Sequence, residues 1–203
     1  CSMFAVSSSP LIARHLDNMV DPISIAFWRM LIGAIILTVY GYLTNNIQLV
    51  SSKNFSKTLL AGILLGIHFA LFYRAISLLP NNIPNATVFG TLAPLFALLI
   101  EIYFGRKIDK NIYLGLCIIL CGSFLIFIDE FSFNSNLTNG NILAILCSIC
   151  FAFVFILSEQ VRKTDSALSF SRSIFFYASI TLVIIGFFMD VSFLNDSVFN
   201  NFH

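Results

Sequence analysis

The stretch NATVFGTLAPLFALLIEIYFGRKIDKNIYLGLCIILCGSFLIFI, residues 85–128, decides the fold. It holds two apolar segments, each near the length that crosses a bilayer, joined by a short basic turn. In the first, Ala86, Gly90, Ala93 and Ala97 occupy the i, i+4, i+7 and i+11 positions of one helical face. Small residues in that pattern let helix backbones approach closely in lipid, where hydrophobicity alone cannot draw helices together. Glu101 extends the stripe and is therefore expected to face protein. Pro94, midway along, removes a backbone hydrogen bond and is expected to bend the helix. Gly115 and Gly122 repeat the close-packing device on the second segment.

Outward from this stretch the whole chain has the same character. Of 203 residues, 58% are hydrophobic and only 10% charged, and the mean hydropathy is +0.92. A soluble domain carries about 25% charged residues, so the class indicated is a polytopic membrane protein in a lipid bilayer. The net charge of +1 gives no reason to expect nucleic acid as a partner. The chain opens at Cys1 without a basic leader, and its first apolar segment is short, so a missing N-terminus is expected. Cys117 with Cys121, and Cys147 with Cys150, are i,i+4 and i,i+3 pairs without His or carboxylate neighbours. They read as packing residues rather than a metal site, and no metal is expected. The Asn-x-Ser/Thr sites at Asn54, Asn85, Asn136 and Asn195 read as by-products of an Asn-rich composition.

Seven hydrophobic segments follow from apolar run length: residues 1–13, 23–43, 58–79, 83–104, 112–128, 141–159 and 168–189. Turn chemistry separates them at Asp21-Pro22, Pro80-Asn81-Asn82, Asp129-Glu130 and the Asn/Ser-rich run 134–139. Alternate loops carry Lys53 and Lys57, then Arg106, Lys107 and Lys110, then Arg162 and Lys163, seven of the eleven basic residues. The opposite loops hold Arg14 together with Asp17, Asp21, Asp129, Glu130, Asp190 and Asp196. By the positive-inside rule the basic loops are cytoplasmic, while Asn136 and Asn195 face outside.

A weak internal repeat is also present. Cys1-Ser2 precedes the stretch from Asp21 to Arg29, and Cys147-Ser148 precedes the stretch from Asp165 to Arg172. If one repeat comprises five spans, its copy starts on the opposite side of the membrane, the inverted topology of secondary transporters.

The chain resembles the drug/metabolite transporter superfamily, specifically its EamA-type proteins. The residues that carry the resemblance are Pro22 with Arg29, the run ALFYRAISLL from Ala70 to Leu79, Ala93-Pro94-Leu95-Phe96, and Gly105, Gly115 and Gly122. The resemblance implies two five-helix repeats, with residues 1–130 as the first and residues 139–203 as the start of the second. A full member has ten spans, so the last three would be absent here. One departure stands out: where members commonly have Gly-Glu after the fourth span, this chain has Gly105-Arg106, with Glu101 five residues earlier.

An ionisable group inside the membrane costs about 2.5–3.5 kcal/mol on insertion scales, so each calls for an account. Arg29 lies about 10 Å along the second segment from Pro22, on the face of Ala26 and Gly33. It reads either as a solute ligand or as a side chain snorkelling to the surface. Arg74 continues the ridge Gly62, Gly66, Ala70 and carries the same two readings. His68, near the middle of that helix, points away from the ridge and is either a hydrogen-bonded packing residue or a proton carrier. Tyr73 and Thr91 are candidate cavity lining or interhelical hydrogen bonders. With Glu101 these form the candidate solute-binding set.

Other classes fit poorly. The last lysine, Lys163, is in a loop, so no Schiff-base photoreceptor is indicated. No nucleophile–base constellation suggests an enzyme, and no charge ring or filter repeat suggests a channel. No Gly-x-x-x-x-Gly-Lys run is present, so a nucleotide is not expected as energy source, and no other cofactor is implied.

The expectation is an all-α polytopic transmembrane helix bundle, one five-helix repeat plus part of an inverted second repeat. Its expected work is moving a small metabolite or drug-like solute across the cytoplasmic membrane by alternating access. Arg29 and Arg74 could be served by water, by helix carbonyls or by an anionic group on the solute; a homodimer is open but not indicated. The alternative is a non-transporting membrane fragment or a structural or interaction protein of the membrane.

Overall fold

The computed structural model describes residues 20–78, 92–105, 110–128 and 135–193. Six α-helices occupy them: α1 (Pro22–Leu43), α2 (Phe55–Leu78), α3 (Ala93–Tyr103), α4 (Lys110–Ile128), α5 (Ser135–Val161) and α6 (Ala167–Phe188). A short 3-10 turn, Ser52–Asn54, leads into α2. Among the described residues, four stretches, Pro22–Leu43, Ser52–Leu78, Asn139–Val161 and Ala167–Phe188, are long and apolar enough to cross a membrane. The shortest of these has 22 residues, about 33 Å at 1.5 Å per residue, against a hydrocarbon core of about 30 Å. The outward faces expose large apolar side chains, with Ile35, Ile36 and Val39 on α1 and Ile184, Phe187 and Phe188 on α6, as suits lipid contact.

The helix ends follow local chemistry. Asp21 caps α1, its Oδ1 accepting from the Ile23 N–H at 2.8 Å, with Pro22 in the first turn where no N–H is needed. Ser166 caps α6 in the same way, accepting from the Ser169 N–H at 3.2 Å. At the other ends, Asn45 (φ 52°) and Asp190 (φ 53°) adopt the left-handed conformation. The next residues, Asn46 and Val191, then donate back to the carbonyls of Gly41 and Gly186, each at 2.9 Å. Both ends are Schellman closures that satisfy carbonyls the helix leaves open. Gly105, at φ 84°, ends α3 in the conformation that glycine adopts most cheaply.

The central helix is α2, which packs along α5 and α6, while α1 lies on α6 and α3 on α5. Gly62 and Gly66 set the close approach of α2 to α6. A Cβ at Gly62 would collide with Tyr177 Cβ, and one at Gly66 would sit 2.7 Å from Thr181 Cβ. At Gly115 and Gly122 of α4, a Cβ would meet nothing within 4 Å among the described residues. Pro94 stands in the first turn of α3, so the bend expected there falls at the edge of the described residues. The segment 1–13, Ala86, Gly90 and Thr91, and the loop residues Arg106, Lys107 and Asn195, lie outside them.

Two basic loops meet at one end of the bundle. Asn54 donates through Nδ2 to Thr164 Oγ1 at 2.7 Å and to Asp165 Oδ2 at 2.8 Å. Ser51 Oγ donates to the same carboxylate at 3.1 Å. The Asn54 amide, followed by Ser51, holds the Asp165 carboxyl below the usual aspartate range. Its contribution is therefore present at neutral pH and is lost only as acid protonates it below that range. Nearby, Arg172 is buried and donates to the Gln48 carbonyl at 2.8 Å. Lys53, Arg162 and Lys163 thus share one end of the molecule. At the opposite end, Ser24 and Trp28 of α1 donate to the Phe193 carbonyl beyond α6 at 3.3 and 3.0 Å.

Candidate functional site

A cavity of about 460 Å³ lies between α1, α2, α5 and α6. From α1 come Arg29, Met30 and Gly33, and from α2 come Leu65 and Phe69. Helix α5 contributes Phe151, Val154, Phe155 and Ser158, the turn just past its end contributes Arg162, and α6 contributes Phe170, Ser171, Ile174 and Phe175. Among the described residues its charged side chains are the guanidiniums of Arg29 and Arg162, and its neutral polar ones are two serines. Otherwise the wall is aliphatic and aromatic, the composition of a small-molecule site.

Arg29 is held from two directions. Its Nη1 donates to the Tyr73 hydroxyl at 3.1 Å, and its guanidinium carbon lies 5.1 Å from the centroid of the Phe69 ring. The aromatic face attracts the cation, and the hydroxyl fixes its rotation. Tyr73 is itself 1% exposed. Phe69 and Tyr73 are four apart, one above the other on α2, so this helix face presents both partners to α1.

A second cavity, of about 620 Å³, lies between α3 and α5 toward the basic end. Glu101, Glu159, Arg162 and Lys163 line it, with Pro94, Ala97 and Leu98 on the α3 side. Two acids face two bases, and Lys163 pairs with Glu159 at 3.5 Å. Phe155, Ser158 and Arg162 belong to both cavities, so one strip of α5 separates them.

The candidates read from sequence therefore disperse. Arg29 lines the first cavity, Tyr73 steadies it from behind, and Glu101 lines the second. Arg74 is exposed and borders neither cavity. His68 is buried against α5, its Nδ1–H donating to the Cys147 carbonyl at 2.8 Å. Its ring stacks on Phe151, with centroids 4.5 Å apart, and lies near-parallel to Phe72 at 6.1 Å. The carbonyl can only accept, so the Nδ1 proton is committed to that bond. Cys147 is buried and directs its thiol at the Ala144 carbonyl, a packing role. Among the described residues no cluster of His, Cys, Asp and Glu is arranged to hold a metal.

Sequence reading passed over the aromatic wall and Arg162. The signal was present: Phe151, Phe155 and Ser158 sit at i, i+4 and i+7 of α5, one face of a helix, and Arg162 follows directly after its last residue. Arg172 was noted only as part of a repeat, yet its burial and bond to Gln48 tie α6 to the loop after α1.

A family model described as the EamA-like transporter family matches residues 1–128. No curated protein and no solved structure matches the chain.

Proposed function

The chain belongs to the EamA-like transporter family, and on that premise we propose that it moves a small metabolite or drug-like solute across the cytoplasmic membrane by alternating access. The observation that carries the reading is the cavity of about 460 Å³ with a fixed cation, lined by four apolar helices. A solute site of this kind at the meeting of two helical units is how secondary transporters work.

In this reading residues 1–130 form one repeat and residues 139–203 begin its inverted partner. The family match ends at residue 128, close to the first boundary. Helices α1 and α6 would be the second spans of the two repeats. Ser24 and Trp28 at the start of α1 meet Phe193 beyond the end of α6, and Gln48 past the end of α1 meets Arg172 near the start of α6. The two helices thus run antiparallel, which is what inversion requires. The basic end would be cytoplasmic.

Flux in sealed vesicles tests the reading. The expected result is protein-dependent solute movement that saturates with concentration and shows counterflow when the far side is preloaded. Flux that rises linearly with concentration, without counterflow, would contradict alternating access and indicate a pore.

A further inference from the structure

We propose that Ser51, Asn54, Thr164 and Asp165 form a clasp that holds the basic end of the bundle closed, and that its release opens the cavity beside Arg29 to that side. The clasp rests on the alternating-access reading and deepens it, as the contact that holds one of the two states.

Position and bonding carry it together. Asn54 ends the 3-10 turn before α2, and Asp165 lies in the turn between α5 and α6. One oxygen, Asp165 Oδ2, accepts from Asn54 Nδ2 at 2.8 Å and from the Ser51 hydroxyl and backbone N–H at 3.1 and 3.4 Å. Three donors on one ionised acceptor make the stronger kind of hydrogen bond. The second Asn54 proton goes to Thr164 Oγ1 at 2.7 Å. The turn that is held in this way also belongs to the cavity wall. Arg162 stands two residues before Thr164, Phe170 stands five after Asp165, and both line the cavity. Pinning this turn to the start of α2 therefore fixes the wall of the cavity at its basic end.

The two ends of the bundle are joined by different chemistry. At the far end the Phe193 ring packs on Phe27, centroids 5.1 Å apart, beside the bonds from Ser24 and Trp28. At the basic end the ties are polar, and Ser51 is exposed and Asp165 partly so. Water can take each partner as the bonds break, so the clasp can let go without a helix unfolding. It also joins a loop of residues 1–130 to a turn of residues 139–203, the two units whose relative motion the alternating-access reading requires.

The test is thiol labelling in sealed vesicles, with the native cysteines replaced and sulfonatoethyl methanethiosulfonate, which does not cross membranes, as the probe. Met30 is buried and lines the cavity, so Met30→Cys reports entry of the probe. Asn54→Ala and Asp165→Ala are each expected to raise its labelling from the basic side about ten- to a hundredfold, the population shift that losing bonds to a charged group gives. Cys147, buried and not part of the cavity lining, is kept as the single cysteine in a control and is expected to stay unlabelled. A matching rise at Cys147 in both variants would mean general loosening and would overturn the clasp. The sides separate the two levels. Labelling of Met30→Cys from both sides that neither substitution changes would keep alternating access and sink the clasp. Labelling from the basic side alone, raised by both substitutions, would keep the clasp and sink alternating access.

Discussion

Replacing Gly62 or Gly66 by alanine will destabilise the bundle, and the same change at Gly115 or Gly122 will not. At Gly62 the new methyl would collide with Tyr177 Cβ and stand 3.2 Å from the Ile174 carbonyl oxygen. At Gly66 it would stand 3.0 Å from the Ala178 carbonyl oxygen, as well as against Thr181. A Cβ and a carbonyl oxygen cannot swing aside like the end of a long side chain, so α2 and α6 must separate. Overpacking of this kind costs about 1–3 kcal/mol, occasionally more. In lipid the cost is felt in full, because close packing is itself what holds the two helices together. At Gly115 and Gly122 the methyl enters open space among the described residues, and alanine is the better helix former by about 1 kcal/mol. Reversible unfolding in bicelles reads the difference. A loss at Gly115→Ala as large as that at Gly62→Ala would mean that α4 carries a tight helix contact at that face.

Tyr73→Ala is expected to be the second severe change, and Tyr73→Phe a mild one. Tyr73 is among the largest fully buried side chains, 1% exposed in the main core cluster with Leu65 and Ile76. Emptying a site of that size costs about 3–5 kcal/mol. Phenylalanine keeps the ring and loses the hydroxyl that accepts from Arg29, a cost of about 1.5–3 kcal/mol at most for a bond to a charged group. The two variants should also differ in kind. Tyr73→Phe leaves the fold intact but lets Arg29 rotate, so solute affinity falls more than stability does. If Tyr73→Phe destabilised the protein as much as Tyr73→Ala, the hydroxyl rather than the ring would be what the core depends on.

These two sites also show how far the sequence could be read. Gly62 and Gly66 stood out as a ridge because small residues four apart have one obvious use in lipid. That the ridge faces α6, from more than a hundred residues away, depends on the arrangement of helices, which no local pattern encodes. Asp21-Pro22 announced the start of α1, since a cap and a proline act within one turn. Asn45 and Asp190 gave no such notice, because their left-handed turns follow from where the helix ends rather than from a distinctive pair.

Asn54 looked like a by-product of composition, yet it joins the two basic loops through Thr164 and Asp165. Its partners are distant in sequence, so the residue carries no sign of its role. The cavity wall was hidden for a different reason. The chain has 23 phenylalanines, and an apolar residue that lines a cavity looks the same as one that faces lipid. Arg29 was legible because a charge inside a span needs an explanation wherever it sits. Its steadying by Tyr73 and Phe69 was not, because α1 and α2 had first to be set side by side.

In the proposed function the cavity beside Arg29 is a solute path reached in turn from both sides of the membrane. Single-cysteine accessibility at position 158 tests it most directly, because Ser158 lines the cavity and its α5 strip. Ser158→Cys, with the native cysteines replaced by alanine, would be treated in sealed vesicles with a membrane-impermeant thiol reagent, from each side separately. The account predicts labelling from either side, slowed by a transported solute in both cases. Labelling from one side only, unchanged by solute, or from neither side, would contradict it.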